Sequence, residues 1–322
     1  MQALATVFGG SGFIGRYVVR ALARDGWRIR VAMRRPHLAP ELRVMGDVGQ
    51  IELVQANVRH AESVAWALDG ATAVVNLVGA LYERGPQKFN ALHVDAAKTV
   101  AQAAARAGVS RLVQVSAIGA DAASPSKYAQ TKAAGEAAAR AAFPDATIIR
   151  PSVVFGPEDK FFNKFAAMAA MAPALPLIGG GETKFQPVYA GDVGAAITAA
   201  LKSPATAGQT YELGGPGVYS FKELMGIVNR ETLLNRPLIP IPFSIAKLLG
   251  MLGDLQAAVI PYSPPVTSDQ VELLKSDNVA NHGLPGLAAL GVTPTALEGV
   301  VSTYLWRFRN GGQFAQATTE NA

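Results

Sequence analysis

Short apolar runs alternate with amphipathic stretches along the first 150 residues of the chain. The apolar runs have the length of strands and cover residues 3–8, 28–33, 51–55, 73–78, 112–116 and 147–150. Stretches with helical periodicity separate them, at 13–25, 61–69, 87–107 and 126–142. Strands that are apolar throughout are buried on both faces, so this order predicts a parallel sheet with helices on either side. The sequence therefore predicts an α/β fold built on a doubly wound parallel sheet.

The pattern becomes irregular after residue 150, where glycine and proline cluster at 155–157, 179–181 and 214–216. We predict a Rossmann domain over residues 1–150 and a smaller C-terminal α/β subdomain over 151–310, with strand segments at about 183–215 returning to the main sheet. The polar end, residues 311–322, is expected to be a flexible tail. Ser220 with Glu223 and Thr295 with Glu298 have capping-box spacing and predict two helix starts.

A glycine run follows the first predicted strand directly. Gly9, Gly12 and Gly15 have the spacing Gly-x-x-Gly-x-x-Gly, and the first predicted helix begins within it. Such glycines let backbone N–H groups approach a pyrophosphate at the helix N-terminus and let helix and strand pack closely. A plain glycine loop is the alternative, and the position after the first strand favours a dinucleotide site. The residues predicted to line this site are Gly9, Gly10, Ser11, Gly12, Phe13, Ile14 and Gly15.

The second predicted strand ends in Arg34 and Arg35, where an NAD site would carry a carboxylate for the ribose 2′-hydroxyl. Guanidinium groups pair with a 2′-phosphate, so the sequence favours NADPH (NADP) as the cofactor. The alternative is a solvated charged turn. Residues at or after the ends of the other strands are predicted to complete the cofactor site, and these are Asn57, Val58, Leu77, Val78, Gly79, Val115, Ser116, Pro151 and Val154.

Tyr128 and Lys132 lie near the start of an alanine-rich predicted helix, for which Ser124 is the expected N-cap. At a spacing of four residues the phenol and the ammonium share a helix face. We therefore expect Lys132 to lower the pKa of Tyr128 and to hydrogen-bond the nicotinamide ribose. Tyr128 and Lys132 are the predicted catalytic pair and are also predicted to contact the cofactor.

The glycine run, a serine on the fifth strand and the Tyr-x-x-x-Lys pair, in this order, resemble the short-chain dehydrogenase/reductase superfamily in its extended, atypical branch. Active members of that superfamily carry a hydroxyl residue that holds the substrate oxygen, where this chain has Ala117 or Ile118. A helix asparagine of the proton relay is also missing, and His93 stands near its place. The resemblance implies an intact cofactor site beside incomplete proton-transfer machinery.

Longer strings carry a closer resemblance. Residues 128–136 (YAQTKAAGE), 150–165 (RPSVVFGPEDKFFNKF) and 186–193 (QPVYAGDV) are similar to the nucleotide-binding accessory subunits of respiratory complex I, NADH:ubiquinone oxidoreductase. The similarity runs from about residue 3 to residue 309. It implies tightly held NADPH without turnover, and a place among other complex I subunits on the hydrophilic arm, near the membrane and the quinone site. It also implies a peripheral position at the cytoplasmic face of a bacterial inner membrane, or at the matrix side for a processed eukaryotic chain.

Composition narrows the chemistry further. The 322 residues include no cysteine, which excludes disulfides, thiol chemistry and cysteine-ligated clusters, so electrons would require a bound cofactor. The formal net charge is +5, and a row of Arg16, Arg20 and Arg24 on the first helix predicts a solvated face, with an acidic protein partner as the alternative. No nucleic-acid motif accompanies the charge, so we expect no nucleic-acid partner. Four scattered histidines predict no metal site.

Three acidic residues near the middle of the chain are candidates for acid–base chemistry or for helix capping. For Glu158 and Asp159 we expect capping of the next helix or pairing with Lys160 or Lys164, rather than general acid and base roles. Asp192 is expected to cap the helix that follows it.

The segment 239–265 is proline-stiffened and very apolar. It is either a helix packed on the core or an exposed docking surface for a membrane or a protein partner. No stretch of the sequence has the uninterrupted apolar length of a transmembrane helix. Because the first strand pattern begins at residue 3, we also expect no presequence ahead of the fold.

Two functions remain in view. The first is an NADPH-binding accessory subunit of complex I, in which the nucleotide stabilises the fold and the segment 239–265 docks at the membrane. The second is an NADP-dependent reductase or epimerase for a hydrophobic, quinone-like or isoprenoid-like substrate, with Tyr128 as general acid or base. The second function predicts a substrate pocket roofed by four aromatic rings, those of Phe155, Phe161, Phe162 and Phe165.

Overall fold

A computed structural model describes residues 3–259 and 264–315 of the protein. The first part of the chain alternates strands and helices: β1 (Leu4–Phe8), α1 (Phe13–Arg24), β2 (Arg28–Met33), β3 (Ile51–Gln55), α2 (Ala61–Ala67), β4 (Ala73–Asn76), α3 (Ala96–Arg106), β5 (Arg111–Val115), α4 (Lys127–Ala142) and β6 (Thr147–Pro151). This alternation follows the predicted pattern, with element ends that differ by a few residues.

The remaining elements are shorter and less regular. They are β7 (Val154–Phe155), α5 (Phe162–Met171), β8 (Leu175–Ile178), β9 (Lys184–Phe185), β10 (Val188–Tyr189), α6 (Ala190–Lys202), β11 (Thr210–Leu213), β12 (Tyr219–Ser220), α7 (Phe221–Thr232), β13 (Leu238–Ile241), α8 (Phe243–Val259), α9 (Ser268–Leu273) and α10 (Leu297–Leu305).

Seven parallel strands form the main sheet in the order β3-β2-β1-β4-β5-β6-β11. The first strand lies in the middle and is buried along its whole length, as expected for an apolar strand between two helix layers. One face of the sheet packs on α1 and α6, and the other packs on α2, α3 and α4. The predicted fold class, a Rossmann sheet of the doubly wound type with a smaller α/β part after it, is confirmed.

Beyond residue 150 the chain contributes to both the sheet and a separate core. Within the range 183–215 only β11 joins the main sheet, while β9 and β10 pair with β12 and β7 in small two-stranded sheets. A second core forms where α5, α7 and α10 pack together around aromatic side chains. Strand β11 completes the main sheet and α6 packs on it, so the packing continues across residue 150. The division into two domains at that residue stays a prediction.

The predicted helix at 87–107 is irregular at its start. A π-helical turn, Asn90–Asp95, precedes α3, and it lies against α4 at Gly135. A Cβ atom at Gly135 would lie 2.1 Å from the carbonyl oxygen of His93, so only glycine permits this approach. The widened turn and the glycine bring His93 next to α4, and π-helical turns of this kind are frequent at functional sites.

Three predictions concern membrane crossing, the C-terminal tail and the apolar segment 239–265. No helix within residues 3–259 and 264–315 is both long enough and apolar enough to cross a membrane. Residues 316–322 of the predicted tail lie outside the described residues, and Gly312–Phe314 form a short 3₁₀ turn. Residues 260–263 of the apolar segment also lie outside them.

Candidate functional site

The glycine run forms a tight loop between β1 and α1. Gly9 has φ +80°, and a Cβ atom there would lie 3.2 Å from the backbone carbon of Leu77. A Cβ at Gly15 would lie 2.4 Å from the carbonyl oxygen of Gly9. The first turn of α1 carries no acidic residue, and Gly12 as N-cap offers no side-chain hydrogen bond. The first N–H groups of α1 and the positive end of its dipole are therefore suited to an anion such as a pyrophosphate.

A cleft of about 280 Å³ lies beside this loop, at the end of β2. Its lining comprises the residues Ser11, Arg16, Met33, Arg34, Arg35, Leu38 and Ala39. Three guanidinium groups and one hydroxyl thus surround a space that no carboxylate lines, and this composition fits a phosphate group. Asn57 and Val58, which follow β3, do not line the cleft, and their role as cofactor contacts stays a prediction.

Arg16 belongs to this cleft, and its prediction as part of a solvated row was wrong. Its Nη2 lies 3.1 Å from a carboxylate oxygen of Glu41, and its Nε is buried without a hydrogen-bond partner among the described residues. Arg20 instead stacks on the ring of Tyr17 at 5.7 Å. The spacing of the three arginines gave no sign of this difference, because the loop after β2 that carries Glu41 is remote in sequence.

The loop after β4 connects the glycine run to α4. The N–H of Leu77 donates to the carbonyl of Phe8 at 3.0 Å, and the N–H of Val78 donates to Oδ1 of Asn76 at 3.1 Å. The next residue, Gly79, faces α4, since a Cβ there would lie 3.2 Å from Nζ of Lys132. Predicted cofactor contacts from three segments thus meet at one edge of the sheet. The sequence did not single out Asn76, although a polar residue in a buried strand end is a usable signal.

Ser116 follows β5 at the same edge. Its N–H donates to the carbonyl of Ile149 at 2.7 Å, and its Oγ is buried with no hydrogen-bond partner within the described residues. A buried hydroxyl without a partner costs about 1–3 kcal/mol, so this atom is suited to a bound polar group. Together with the glycine cradle and the basic cleft, it shows that the residues present fit a dinucleotide. Val115, Pro151 and Val154 lie on neighbouring strands of this region and stay predicted contacts.

Helix α4 positions Tyr128 and Lys132. The N-cap is Ser126, whose Oγ accepts from the N–H of Ala129, and not Ser124 as predicted. Nζ of Lys132 lies 5.7 Å from the centre of the Tyr128 ring, so the pair shares one face of the helix as expected.

The pKa values of the pair differ from the expectation. Burial lowers the pKa of Lys132 to about 8. Burial, with a smaller contribution from the Asp269 carboxylate, raises the pKa of Tyr128 to about 12. The prediction that Lys132 lowers the pKa of Tyr128 was wrong, because desolvation of the phenolate and the Asp269 carboxylate both raise this pKa.

His93 joins the loop after β4 to α4. Its Nε2 accepts from the N–H of Ala80 at 3.1 Å, and its Nδ1 lies 3.0 Å from Oγ1 of Thr131. Because Nε2 accepts, the ring proton lies on Nδ1 and donates to Thr131, whose hydroxyl donates onward to the carbonyl of Lys127 at 2.8 Å. Burial, reinforced by Lys132, lowers the pKa of His93 to about 3. The neutral ring therefore acts as a fixed link between two segments.

The acidic residues of the 150–165 string hold the loop rather than form an acid–base pair. Asp159 accepts from the N–H of Asn163 in the first turn of α5 at 3.2 Å and from the hydroxyl of Tyr304 at 2.5 Å, which confirms its capping role. Glu158 accepts from Tyr17 on α1 at 3.0 Å instead of pairing with a lysine.

Asp192 lies inside the first turn of α6 and accepts from the N–H and Oγ1 of Thr295, at 2.7 and 2.9 Å. Its predicted role as the helix cap was wrong, and so was the capping box at Thr295, because each residue binds the other. Across the described residues, no three His, Asp or Glu side chains converge as a metal site would.

The predicted aromatic roof is part of the protein core. Phe155 and Phe162 are fully buried and their rings pack edge to face, with centres 6.3 Å apart. Phe161 and Phe165 pack on each other at 5.2 Å and on Phe221. Because Phe155 and Phe162 are fully buried they line no pocket, and the partly buried Phe161 and Phe165 pack against the same core, so the prediction of a pocket roofed by all four rings was wrong.

Helix α8 presents a broad apolar face to solvent. It packs on the chain around α9 through Gly250 and Gly253, and it buries Ala246 and Ala257. Seven of its large apolar side chains are each at least 45% exposed, and these are Ile245, Leu248, Leu249, Met251, Leu252, Leu255 and Val259. Of the two predictions for this segment, the exposed surface agrees with the structure.

Comparison with known proteins places this site in a family. The family model named NAD dependent epimerase/dehydratase family matches residues 5–214. The chain belongs to this family. Similar folds include a dTDP-glucose 4,6-dehydratase, DesIV from Streptomyces venezuelae, solved with NAD and TYD bound. It has a TM-score of 0.68 and 23% identity over 95% of this chain and 96% of that one.

Curated relatives narrow the family further. The chain is 38% identical over 316 residues to the mitochondrial NADH dehydrogenase [ubiquinone] 1 alpha subcomplex subunit 9 of Arabidopsis thaliana, which covers 96% of this chain and 79% of the relative. It is also 34% identical over 203 residues to a ceramide reductase of Caulobacter vibrioides, over 63% of this chain and 62% of that relative. The predicted membership in the complex I accessory-subunit family, within the epimerase/dehydratase fold, is confirmed.

Proposed function

We propose that this chain is an NADP(H)-binding accessory subunit of respiratory complex I, which holds its nucleotide without turning it over. The observation that carries the proposal is its 38% identity, along 96% of its length, to a protein named as subunit 9 of the NADH dehydrogenase alpha subcomplex. The partners would be other subunits of that complex, on the hydrophilic arm near the membrane and the quinone site.

The basic cleft supports NADPH as the nucleotide. Arg34, Arg35 and Arg16 would bind the 2′-phosphate with Ser11, and the glycine loop would hold the pyrophosphate. Lys132 and Tyr128 would contact the nicotinamide ribose. When bound, NADP(H) supplies a hydride donor or acceptor.

The protein groups around the nicotinamide end support retention rather than reaction. A general acid or base is most effective when its pKa lies near the working pH. Here the pKa of Tyr128, the expected acid or base, is about 12 and that of His93 is about 3, and only Lys132, at about 8, lies near neutral pH. Both ring nitrogens of His93 are already hydrogen-bonded, so the ring does not relay protons to Lys132. Positions 117 and 118 carry no hydroxyl that could hold a substrate oxygen.

The apolar face of α8 supports a peripheral position at a membrane surface. A helix that packs on the protein along one side and exposes a row of large apolar side chains on the other can bury those side chains among lipid acyl chains. Side chains such as Leu248, Leu252 and Leu255 would enter that interface, at the cytoplasmic face of a bacterial inner membrane or the matrix side in mitochondria.

Gentle solubilisation of native membranes, followed by size separation and nucleotide extraction, tests this proposal. We expect the chain to migrate with NADH:quinone oxidoreductase activity and to carry about one NADP(H) per chain. A free chain that migrates alone, or a complex fraction that contains the chain without nucleotide, contradicts the proposal.

The second candidate is an NADP-dependent reductase for a hydrophobic substrate. The Tyr128/Lys132 pair and the similarity to a protein named ceramide reductase favour it. It predicts that the bound NADPH is oxidised, measured as a loss of its absorbance at about 340 nm, when long-chain ketones, ceramide precursors or quinones are added. It also predicts that Tyr128→Phe abolishes this oxidation. Absence of substrate-dependent oxidation across these classes removes this candidate.

A further inference from the structure

One carboxylate joins α9 to the first turn of α4. Asp269 accepts from Oγ of Ser126 at 2.9 Å, from the N–H of Lys127 at 2.7 Å and from the N–H of Tyr128 at 3.2 Å. These donors lie more than 140 residues before Asp269 in the chain. The first turn of α4 is therefore capped by a side chain from a remote segment, and the negative charge lies at the positive end of the helix dipole.

The segment that carries Asp269 is in turn fixed to α8. A Cβ at Gly253 would lie 1.9 Å from the carbonyl oxygen of Val266, and a Cβ at Gly250 would lie 2.7 Å from the backbone of Ser268. Asp254 of α8 accepts from both the N–H and the hydroxyl of Ser268. Since Ser268 and Asp269 are adjacent, one dipeptide contacts α8 on one side and α4 on the other.

A second contact leads to the cofactor loop. Nε2 of Gln270 lies 3.4 Å from the carbonyl oxygen of Leu81, two residues after Gly79. The short helix α9 thus contacts both protein segments that surround the predicted nicotinamide end, the loop after β4 and the start of α4. On its other side it contacts the helix with the exposed apolar face.

We propose that nucleotide binding and the ordering of the apolar helix α8 are coupled through Asp269. This inference rests on the proposed function, because it requires that Tyr128 and Lys132 contact a bound nucleotide. A nucleotide that holds the first turn of α4 also holds the donors of Asp269, so it favours the docked position of α9 and α8. By linkage, whatever fixes α8 on its apolar side must strengthen nucleotide binding by the same factor.

Hydrogen exchange of the full chain, with and without saturating NADPH, tests the coupling. In the native sequence we expect amides of α8 and α9 to exchange about fivefold more slowly, or slower still, with NADPH bound. In Asp269→Asn the nucleotide remains bound, and the protection of α8 and α9 by NADPH falls below about twofold. The matched control is Glu272→Gln, which alters a carboxylate of the same helix that pairs with Lys275 at 2.8 Å, and it should behave as the native chain does.

A second variant keeps the test decisive if Asp269→Asn fails to fold. Asp254→Asn weakens the hydrogen bonds between α8 and Ser268 and leaves the glycine contacts in place, so the NADPH-dependent protection of α8 should fall while that of α9 stays. Bound nucleotide is measured in the same samples by native mass spectrometry. Bound NADPH without protection of α8 in the native chain, or equal protection in Asp269→Asn or in α8 of Asp254→Asn, overturns the coupling alone. A native chain that binds no NADPH overturns the proposed function and the coupling with it.

Discussion

The two ends of the predicted dinucleotide site are built differently. At the phosphate end, the glycine loop and exposed arginines border an open cleft of about 280 Å³. At the nicotinamide end, His93 is 2%, Ser116 4% and Lys132 9% exposed, and Asp269 closes the start of α4. The first end offers charge and backbone donors to a ligand in an open cleft, while the second holds buried side chains that hydrogen bonds fix in place. The comparison shows that the two ends depend on different physical terms, exposed charge at the phosphate end and burial at the nicotinamide end.

The cause of the separation lies in burial. Exposed guanidinium groups keep their charge and attract a phosphate at little desolvation penalty. Burial at the other end disfavours the charged forms, so the pKa of His93 and of Lys132 is lowered and the pKa of Tyr128 is raised. With these values Tyr128 and His93 each keep one protonation state near neutral pH, and Lys132, with a pKa of about 8, stays largely protonated.

The largest effect is expected from a substitution in the glycine loop at the phosphate end. In Gly15→Ala the new Cβ would lie 2.4 Å from the carbonyl oxygen of Gly9, so the loop must shift. We expect a loss of about 3 kcal/mol of stability and loss of bound nucleotide, measured by urea unfolding and nucleotide extraction. Gly226→Ala on α7 is the matched control, since its Cβ meets nothing within 4 Å and alanine favours a helix. Equal nucleotide content in both variants would contradict the role of the loop.

A smaller effect at the same end is expected when the arginine pair is removed, and it concerns the selectivity for NADPH over NADH. Replacing Arg34 and Arg35 by alanine removes two charge-assisted partners of a 2′-phosphate and leaves the glycine loop intact. We expect the preference for NADPH over NADH to fall by about 10- to 100-fold, because each of two solvent-exposed charge pairs contributes about 1 kcal/mol. Titration of each nucleotide by fluorescence measures it. Arg24→Ala, at the far end of α1, should leave the ratio as it is, and an unchanged ratio in the double variant would refute the 2′-phosphate site.

At the nicotinamide end, the burial of His93 should make the stability of the protein fall at acid pH. Its folded pKa of about 3 is below its ordinary value of 6.5, so between these values the unfolded chain binds one proton more. Stability therefore falls as the pH falls from 6.5 towards 3, by about 1.4 kcal/mol per pH unit from this residue. His93→Asn should remove that slope in urea unfolding between pH 4.5 and 6.5. His37→Asn, at an exposed histidine, serves as the control, and an identical slope in all three proteins would show that His93 is not buried as described.

The smallest effect is expected from removing the hydroxyl of Tyr128 at the nicotinamide end. Tyr128→Phe removes only the phenol hydroxyl and keeps the ring that packs edge to face on His93 at 5.3 Å. We expect nucleotide affinity within about fivefold of the native chain, since one neutral hydrogen bond contributes about 1 kcal/mol. Complex I activity in membranes should also stay unchanged. A large loss of activity with nucleotide still bound would instead favour the reductase.

Features that depend on neighbours in sequence could be predicted, and features that depend on remote segments could not. The capping box at Ser220 and Glu223 is present as predicted, because both partners lie within one helical turn. The one at Thr295 is absent, because Asp192, 103 residues earlier, accepts its hydroxyl and its N–H. The alternation of strands and helices is likewise local, and the fold class followed from it.

The same distinction applies to the candidate site. The glycine run and the arginine pair follow from spacing alone, whereas Arg16 joined them only through a loop that folds back beside α1. The pKa of Tyr128 depends on burial and on Asp269, which no local pattern reveals. Similarly, the four phenylalanines lie close together as predicted, and only the structure showed that they fill a core instead of lining a pocket.

The most direct test of retention without turnover is the redox state of the bound nucleotide during turnover of the intact complex. Complex isolated from native membranes is mixed with NADH and ubiquinone, quenched at intervals, and extracted in acid and in alkali to separate NADP⁺ from NADPH. We predict about one NADP(H) per chain and a constant ratio of the two forms over many turnovers. A ratio that changes in step with NADH oxidation would contradict the account.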